Sequence, residues 1–344
     1  MKRKEKIAGF CLFLCLVVSC ALGYAASKDG SAKDAFLQAN KSKIAKAYTH
    51  YTMGILYDNM DNLKAAADEY KKALEYDPYS SAINLRLSFD YIKLGQYESA
   101  MKQLKCAIKA SSEDTGPHFL LAFLYTARSK FDDAASEYKK ILAKDPEEPS
   151  ALSSLADIYV LQGKSKEALL IYAKLAQYKD IAPLALFNMG ILYSSLDNFN
   201  AAEYCLKRAI FECEKEVRFG ELIEEAHILH FYISTLYEKN GDYTKAEGNL
   251  KRAIYLYPDD HEALNYLGYM YAERNEHLDE AIALIKKALE FEPDNGAYLD
   301  SLGWAYFKKG MLKEALFNLE KAQEAMPDHE IEGHLKEVKE KLKR

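Results

Sequence analysis

The sequence lacks the block of basic residues that marks a nucleic-acid-binding surface. The formal net charge of the 344 residues is -6, and glutamates interrupt the basic tail "KEVKEKLKR". Nucleic-acid-binding domains carry a basic patch or stripe on one face. We therefore predict no nucleic-acid partner.

Motifs that carry out catalysis or hold a cofactor are also missing. "GxGxxG" is absent, and the "GKS" at residues 163–165 lacks the glycine that a phosphate loop needs at position 158, which is Ile158. His329 and His334 are five residues apart, whereas a metalloprotease helix needs four. His227 and His230 have a helical spacing, but two ligands do not make a metal site. We predict no cofactor and no enzymatic activity.

Long apolar runs are limited to the N-terminus. After "MKRKEK", residues 7–26 carry no charge, and small residues gather at the end of the run. A basic start, an apolar stretch and small residues are typical of an export signal. No later run approaches the 18 residues of a membrane span. Whichever way the run is processed, the rest of the chain is expected to be exported.

Three interpretations of this run remain open. Val17-Val18-Ser19-Cys20 resembles the bacterial lipobox, which implies a signal peptide over residues 1–19 and lipid on Cys20. Gly23-Tyr24-Ala25 would instead permit an ordinary cut after Ala25, and the run could also remain as an uncleaved anchor. Two or more acyl chains hold a protein stably on a membrane. Ala21 stands where enterobacterial sorting rules place Asp for inner-membrane retention, so the resemblance implies the outer membrane, facing the periplasm.

The cysteines do not suggest a disulfide framework. Cleavage at residue 19 would leave Cys20, Cys106, Cys205 and Cys213. Cys205 and Cys213 are eight residues apart on one expected helix, or about 12 Å. That separation exceeds the reach of a disulfide, so buried thiols are expected.

What the sequence does contain is a repeat. Tyr57, Tyr91, Tyr125, Tyr159 and Tyr193 recur every 34 residues, and Tyr237, Tyr271 and Tyr306 continue the series at steps of 44, 34 and 35. Nine or ten residues after each of these column tyrosines stands an alanine: Ala66, Ala100, Ala134, Ala168, Ala202, Ala246, Ala281 and Ala315. Three residues before each stands a small residue: Gly54, Ser88, Ala122, Ala156, Gly190, Ser234, Gly268 and Gly303. Eight units result.

The stretch "MGILYDNMDNLKAAADEYKKALEYDP" resembles the tetratricopeptide repeat. The resemblance covers residues 47–327 and implies an all-α, right-handed superhelical α-solenoid of eight helix-turn-helix units. The units start near residues 47, 81, 115, 149, 183, 227, 261 and 296. Small residues stand where the two helices of a unit cross, because a larger side chain would hold them apart. Residues 20–46 are expected to form a linker and a leading helix, and residues 328–344 a capping helix.

The step of 44 residues places an insertion at residues 210–228. We expect it to lengthen the second helix of unit five and the first helix of unit six into a protruding hairpin. The hairpin could be a tolerated surface insertion, a partner-docking edge or a change in curvature.

In this family the first helix of each unit lines an inner groove, at positions six and two residues before the column tyrosine. The apolar residues at these positions are Tyr51, Ile55, Leu85, Phe89, Phe119, Phe123, Phe187, Ile191, Phe231, Tyr269 and Trp304. Such a groove would suit an amphipathic helix or an extended segment with bulky side chains. Alternatively, the rings could pack against one another. Asn265 alone fits the lysine and asparagine clamp of chaperone-binding members, so no chaperone-tail recognition is predicted.

These patterns favour an exported, lipid-anchored scaffold or adaptor that binds a protein of the cell envelope. Residues 265–310 resemble the repeats of bacterial outer-membrane lipoproteins, including adaptors of a carboxy-terminal processing protease. One alternative is an assembly factor of an outer-membrane, secretion or exopolysaccharide complex. Another is an enzyme or carbohydrate-binding protein, but the lining positions offer only the separated acids Asp157 and Asp300.

Overall fold

The computed structural model describes residues 30–216 and 223–343. These residues form seventeen α-helices and contain no strand. No helix among them is both long enough and apolar enough to cross a bilayer. The predicted signal peptide, Cys20 and the alternative cut after Ala25 lie outside the described residues.

Sixteen of the helices form eight consecutive pairs, and the predicted all-α fold is confirmed. The first helices of the pairs are α1 Gly30–Asn59, α3 Ser81–Lys93, α5 Gly116–Thr126, α7 Pro149–Leu161, α9 Ala182–Ser195, α11 Ile223–Lys239, α13 His261–Glu273 and α15 Gly296–Lys308. The second helices are α2 Leu63–Tyr76, α4 Tyr97–Ala110, α6 Phe131–Lys144, α8 Ser165–Leu175, α10 Phe199–Glu216, α12 Tyr243–Leu256, α14 Leu278–Phe291 and α16 Leu312–Ala325. A last helix, α17, spans His329–Leu342.

The chain divides into two compact units, with the boundary between Ala151 and Leu152 inside α7. The first unit holds repeats one to three. The second holds most of repeat four, repeats five to eight and α17.

The turn inside each repeat has one geometry. Four residues after every column tyrosine the backbone has a positive φ, at Asp61, Gly95, Ser129, Gly163, Asp197, Gly241, Asn275 and Gly310. The next residue donates its N–H to the tyrosine carbonyl, over 2.7 Å from Gln96 to Tyr91 and 2.9 Å from Met311 to Tyr306. Glycine, Asn and Asp tolerate this left-handed conformation better than other residues. The turn therefore ends the first helix at a fixed place and starts the second.

The two helices of a repeat cross where the small column meets a large side chain. All eight column alanines from Ala66 to Ala315 are fully buried, as are Ser88, Ala122, Ala156 and Ser234 of the small column. A Cβ added at any of the four column glycines would lie within 3 Å of a side chain on the paired helix; the pairs are Gly54 with Tyr70, Gly190 with Leu206, Gly268 with Ile285 and Gly303 with Leu319. Close approach of the two backbones thus requires the small residue.

The insertion after repeat five lengthens both neighbouring helices, as predicted. Helix α10 has 18 residues and α11 has 17, against 14 in α12 and 13 in α13. The added turns are not bare protrusions, because Cys213 on α10 and Ala226 on α11 are buried in one apolar cluster. Cys205 and Cys213 lie on the same helix, as expected, and both side chains are buried. Residues 217–222 between the two helices lie outside the described part of the chain.

Three repeats contain a histidine contact between their helices that the sequence analysis missed. His50, His118 and His230 each stand seven residues before the column tyrosine, and each pairs with a side chain 19 residues later. Their Nδ1 atoms lie 2.7 Å from Glu69, 2.6 Å from Glu137 and 2.9 Å from Asn249. The contact of His118 and Glu137 is buried on both sides. These three histidines therefore share one structural position in their repeats.

A matched pair of glycine variants tests the crossing. Gly268→Ala places a methyl group 2.5 Å from the Ile285 side chain and 2.9 Å from the Ala281 carbonyl oxygen, so the free energy of unfolding should fall by about 1–3 kcal/mol. The control is Gly248→Ala on α12, where nothing lies within 4 Å of the added atom. It should raise the free energy of unfolding by about 0.5–1 kcal/mol, because alanine favours the helix. Urea denaturation measures both, and equal effects would contradict the crossing geometry.

The buried His118 and Glu137 contact gives a second prediction. His118→Leu and Glu137→Ile should each destabilise the protein by about 1–3 kcal/mol, because each leaves one buried atom, Glu137 Oε2 or His118 Nδ1, without its partner. The double variant should lie within about 1 kcal/mol of wild type, since replacing both partners of a buried polar contact with apolar residues of similar volume is nearly neutral. Repeat four already has Leu152 and Ile171 at these positions. Strictly additive losses in thermal or urea unfolding would disprove the coupling.

Candidate functional site

The predicted groove residues all lie on the first helices of their repeats. In the first unit they are Tyr51 and Ile55 on α1, Leu85 and Phe89 on α3, and Phe119 and Phe123 on α5. Phe89 and Phe123 are exposed, and the other four are half-buried. The rings of Tyr51 and Phe119 pack on Tyr70 and Tyr138, with centroids 5.9 and 6.0 Å apart. The half-buried rings thus support an apolar surface whose outer part faces solvent.

In the second unit an apolar surface forms between α9 and α11. Phe187 on α9 meets Tyr232 on α11 edge to face at 4.9 Å, and Phe231 meets Tyr266 of α13 in the same way at 5.4 Å. Leu184, Ile191 and Ile228 are exposed beside these rings. We call Leu184, Phe187, Ile191, Ile228, Phe231 and Tyr232 the α9/α11 surface. Its rings pack on one another and still leave apolar area open.

A cavity of about 250 Å³ opens on the α9/α11 surface. Its lining residues are Pro183, Leu184, Phe187, Cys213, Ile228 and Leu229. Cys213 belongs to the added turn of the lengthened α10, so the insertion contributes one residue to the cavity wall. Among the residues that the structure describes, no charged side chain lines it, which suits an apolar side chain of a ligand.

Three residues of this surface were not predicted. Leu184 and Ile228 stand nine residues before their column tyrosines, and Tyr232 stands five before. These positions lie on the same helix face as the two that were counted, because residues three and four apart are neighbours on a helix. A search of the whole helix face would have found them.

Trp304 differs from the expectation that it lines an open groove. It is 6% exposed, because His334 of α17 stacks on its ring with centroids 4.0 Å apart. The Trp304 indole N–H donates to Glu273, and Tyr269 donates its hydroxyl to Glu330 of α17 over 3.0 Å. Helix α17 therefore covers this end of the first-helix face.

An ion pair holds α17 in place. His334 Nδ1 lies 3.0 and 3.1 Å from the two carboxylate oxygens of Asp300 on α15. Burial lowers the pKa of His334, but the hydrogen bond to Asp300 and the charges of Asp300, Glu330 and Glu273 raise it above its ordinary value overall. Ile331 and Val338 of α17 are buried as well. The acids of this region thus position the last helix.

The histidine pair that could have suggested a metal site is divided between two contacts. His227 Nδ1 lies 2.6 Å from Asp260, whereas His230 faces Asn249. In the described part of the chain, no three His, Cys, Asp or Glu side chains converge as metal ligands would. His227 and His230 therefore take part in two separate contacts between helices.

Comparison with known proteins agrees with this architecture. Family models described as tetratricopeptide repeat match residues 60–122, 119–185, 233–297 and 297–329. A TPR repeat-containing protein of Pseudomonas aeruginosa is 32% identical over 104 residues, which are 30% of this chain and 18% of the relative. The chain thus spans less than a fifth of the length of that relative.

Solved structures of similar fold share little sequence with this chain. The Cut9-Hcn1 hetero-tetramer of the APC/C gives a TM-score of 0.51 at 16% identity, covering 92% of this chain and 58% of the other. MamA gives a TM-score of 0.47 at 19% identity, and the match covers 51% of this chain and 96% of MamA. A tetratricopeptide repeat protein of Parabacteroides merdae gives a TM-score of 0.40 at 18% identity, and the match covers 88% of this chain and 99% of the other. At these identities the Cut9-Hcn1 likeness concerns the fold alone. The matches to the family models, the eight helix pairs and the repeated tyrosine and alanine positions show that this chain belongs to the tetratricopeptide repeat family.

Proposed function

We propose that this protein is a scaffold that binds an apolar segment of a protein partner on the first helices of its repeats. Tetratricopeptide repeats are protein-interaction scaffolds, and the chain has that architecture. The observation that carries the proposal is the α9/α11 surface. Exposed Leu184 and Ile228 line a cavity of about 250 Å³ there, next to the rings of Phe187 and Tyr232, which pack edge to face.

The chemistry of this surface defines the kind of partner. Rigid aromatic anchors with a pocket between them are typical of binding hot spots, because little side-chain entropy is lost on association. The cavity accepts one bulky aliphatic or aromatic side chain, and the neighbouring exposed residues accept one or two more. An amphipathic helix presents such side chains at three- and four-residue intervals. A catalytic role is not part of the proposal, because the tetratricopeptide fold is typically a non-catalytic scaffold.

We further propose that the protein works in the cell envelope, anchored through a lipid on Cys20. The support is the N-terminal sequence: four basic residues in the first six, an uncharged run over residues 7–26, and the lipobox-like Val17-Val18-Ser19-Cys20. The partner is then a protein of the same compartment. A processing protease or cell-wall hydrolase would make the protein an adaptor, and a secretion or polysaccharide complex would make it an assembly factor.

Site-specific crosslinking tests the α9/α11 surface. A photo-crosslinking amino acid at Leu184, which is 56% exposed, should trap a discrete protein in intact cells, because the partner side chain enters the adjoining cavity. The matched control is Phe317 on the second helix α16, which is 57% exposed. The same probe there should trap no such product. Mass spectrometry of the crosslinked band identifies the partner class.

A charge placed in the surface sharpens this test. Ile228→Asp should reduce the yield of the Leu184 crosslink by about tenfold or more, since desolvating a carboxylate at an apolar contact costs more than about 1.4 kcal/mol. Circular dichroism confirms that the variant is folded. Identical products at Leu184 and Phe317, or a Leu184 product unaffected by Ile228→Asp, would argue against binding at this surface.

The lipid anchor has its own test, with a control inside the same apolar run. Cys20→Ser should abolish labelling with radioactive fatty acid and move the protein from the membrane fraction to the soluble fraction, because the acyl chains supply the membrane affinity. Cys15→Ser removes a cysteine five residues earlier and should change neither. A Cys20→Ser variant that remains labelled and membrane-bound would refute the lipoprotein proposal.

A further inference from the structure

The ends of two first helices bring two carboxyl groups together in the first unit. Asp58 is in the last turn of α1, and Asp90 is in the last turn of α3. The Asp90 side chain lies within hydrogen-bonding reach of Asp58. Asp90 is 1% exposed, so this contact between repeats one and two is shielded from water.

The hydrogen bonds around the pair leave one oxygen of each carboxyl group without a donor. Tyr70 of α2 donates its hydroxyl to Asp58 Oδ2 over 2.7 Å. Asp58 Oδ1 and Asp90 Oδ2 are buried and have no hydrogen-bond partner. Two carboxylates are both acceptors and cannot bond to each other, whereas one carboxylic acid and one carboxylate can. A single proton would therefore satisfy both orphaned oxygens.

The surroundings disfavour a second negative charge. Each group sits at the carboxyl end of its helix, where the helix dipole is negative and repels anions. Arg86 and Lys93 of α3 act in the opposite direction, but both side chains are exposed to screening water. Helix α4, which also packs on α3, contributes the apolar residues Ala100, Met101 and Leu104 to the core. Burial, followed by the hydrogen bond and charge of Asp58, raises the pKa of Asp90 to about 7.

We propose that Asp58 and Asp90 form a carboxylic acid and carboxylate pair that shares one proton below neutral pH and joins the first two repeats while the proton is held. This inference is independent of the proposed function. It makes the contact between α1 and α3 a proton-sensitive joint within the first unit.

The sign of the pH effect follows from the two pKa values. An aspartate in the unfolded chain titrates near about 3.9, below the raised value in the folded protein. The folded state therefore binds more protons between about pH 4 and pH 7, and the stabilisation is lost as the pH rises through about 7. For one proton, the unfolding equilibrium constant should rise by up to about tenfold per pH unit in this window.

Asp90→Asn tests the pair in the full chain. Its amide N–H can donate to Asp58 at any pH, so the variant imitates the protonated state. Urea unfolding from pH 5 to 8, in buffers with EDTA, should show the wild type losing stability relative to Asp90→Asn as the pH rises. The control Asp68→Asn removes an exposed aspartate of α2 and should follow the wild-type slope. A constant difference between wild type and Asp90→Asn would overturn the proposal.

A direct measurement covers the case in which Asp90→Asn unfolds. In wild-type protein labelled with carboxyl ¹³C aspartate, one titration with a midpoint above pH 6 is expected, and Asp58→Asn should remove it or lower its midpoint below pH 5. If every aspartate carboxyl of the folded wild type titrates below pH 5, the pair holds no proton and the inference fails.

Discussion

The close crossing of the two helices in each repeat is the contact on which the rest of the structure depends. In the first and the last repeat alike, a glycine of the first helix packs against a large side chain of the second helix. These contacts are Gly54 with Tyr70 and Gly303 with Leu319. The buried alanine columns let neighbouring helices come equally near. A single pair cannot bury both apolar faces, so the repeats are stable only when they stack.

This packing determines where binding can occur. The buried faces of the second helices pack on the first helix of the same repeat and on the next repeat. The first helices have an additional apolar face that these contacts cover only in part. On that face the α9/α11 surface is apolar and open, because Phe187 and Tyr232 pack on each other while Leu184 and Ile228 remain exposed. The lengthened α10 adds Cys213 to the wall of the cavity on this surface. The insertion therefore shapes the candidate site rather than decorating the surface.

Polar contacts modify the scheme without breaking it. His118 with Glu137 occupies positions where repeat four has Leu152 and Ile171, so a buried pair can replace apolar contact if both partners are present. The pair of Asp58 and Asp90 likewise joins two repeats through a buried polar contact, but this contact requires a shared proton. In the last repeat, Asp300 and Trp304 contact His334 of α17. Helix α17 thus takes the place that another helix pair has after the earlier repeats. Each contact places a titratable group between helices.

The sequence by itself determined the repeat, the helix pairs, the crossing residues and the lengthening of α10 and α11, because these depend on spacing along the chain and on side-chain size. It also indicated which helices carry an apolar face. Only the tertiary structure decided which of those residues stay open. Trp304 has the same register as Phe123, yet one is covered and the other exposed, because the neighbouring helix differs. The same holds for the pairing of Asp58 with Asp90 and for the cavity beside Cys213. Both arise from contacts between different helices, which the spacing of residues along the chain does not reveal.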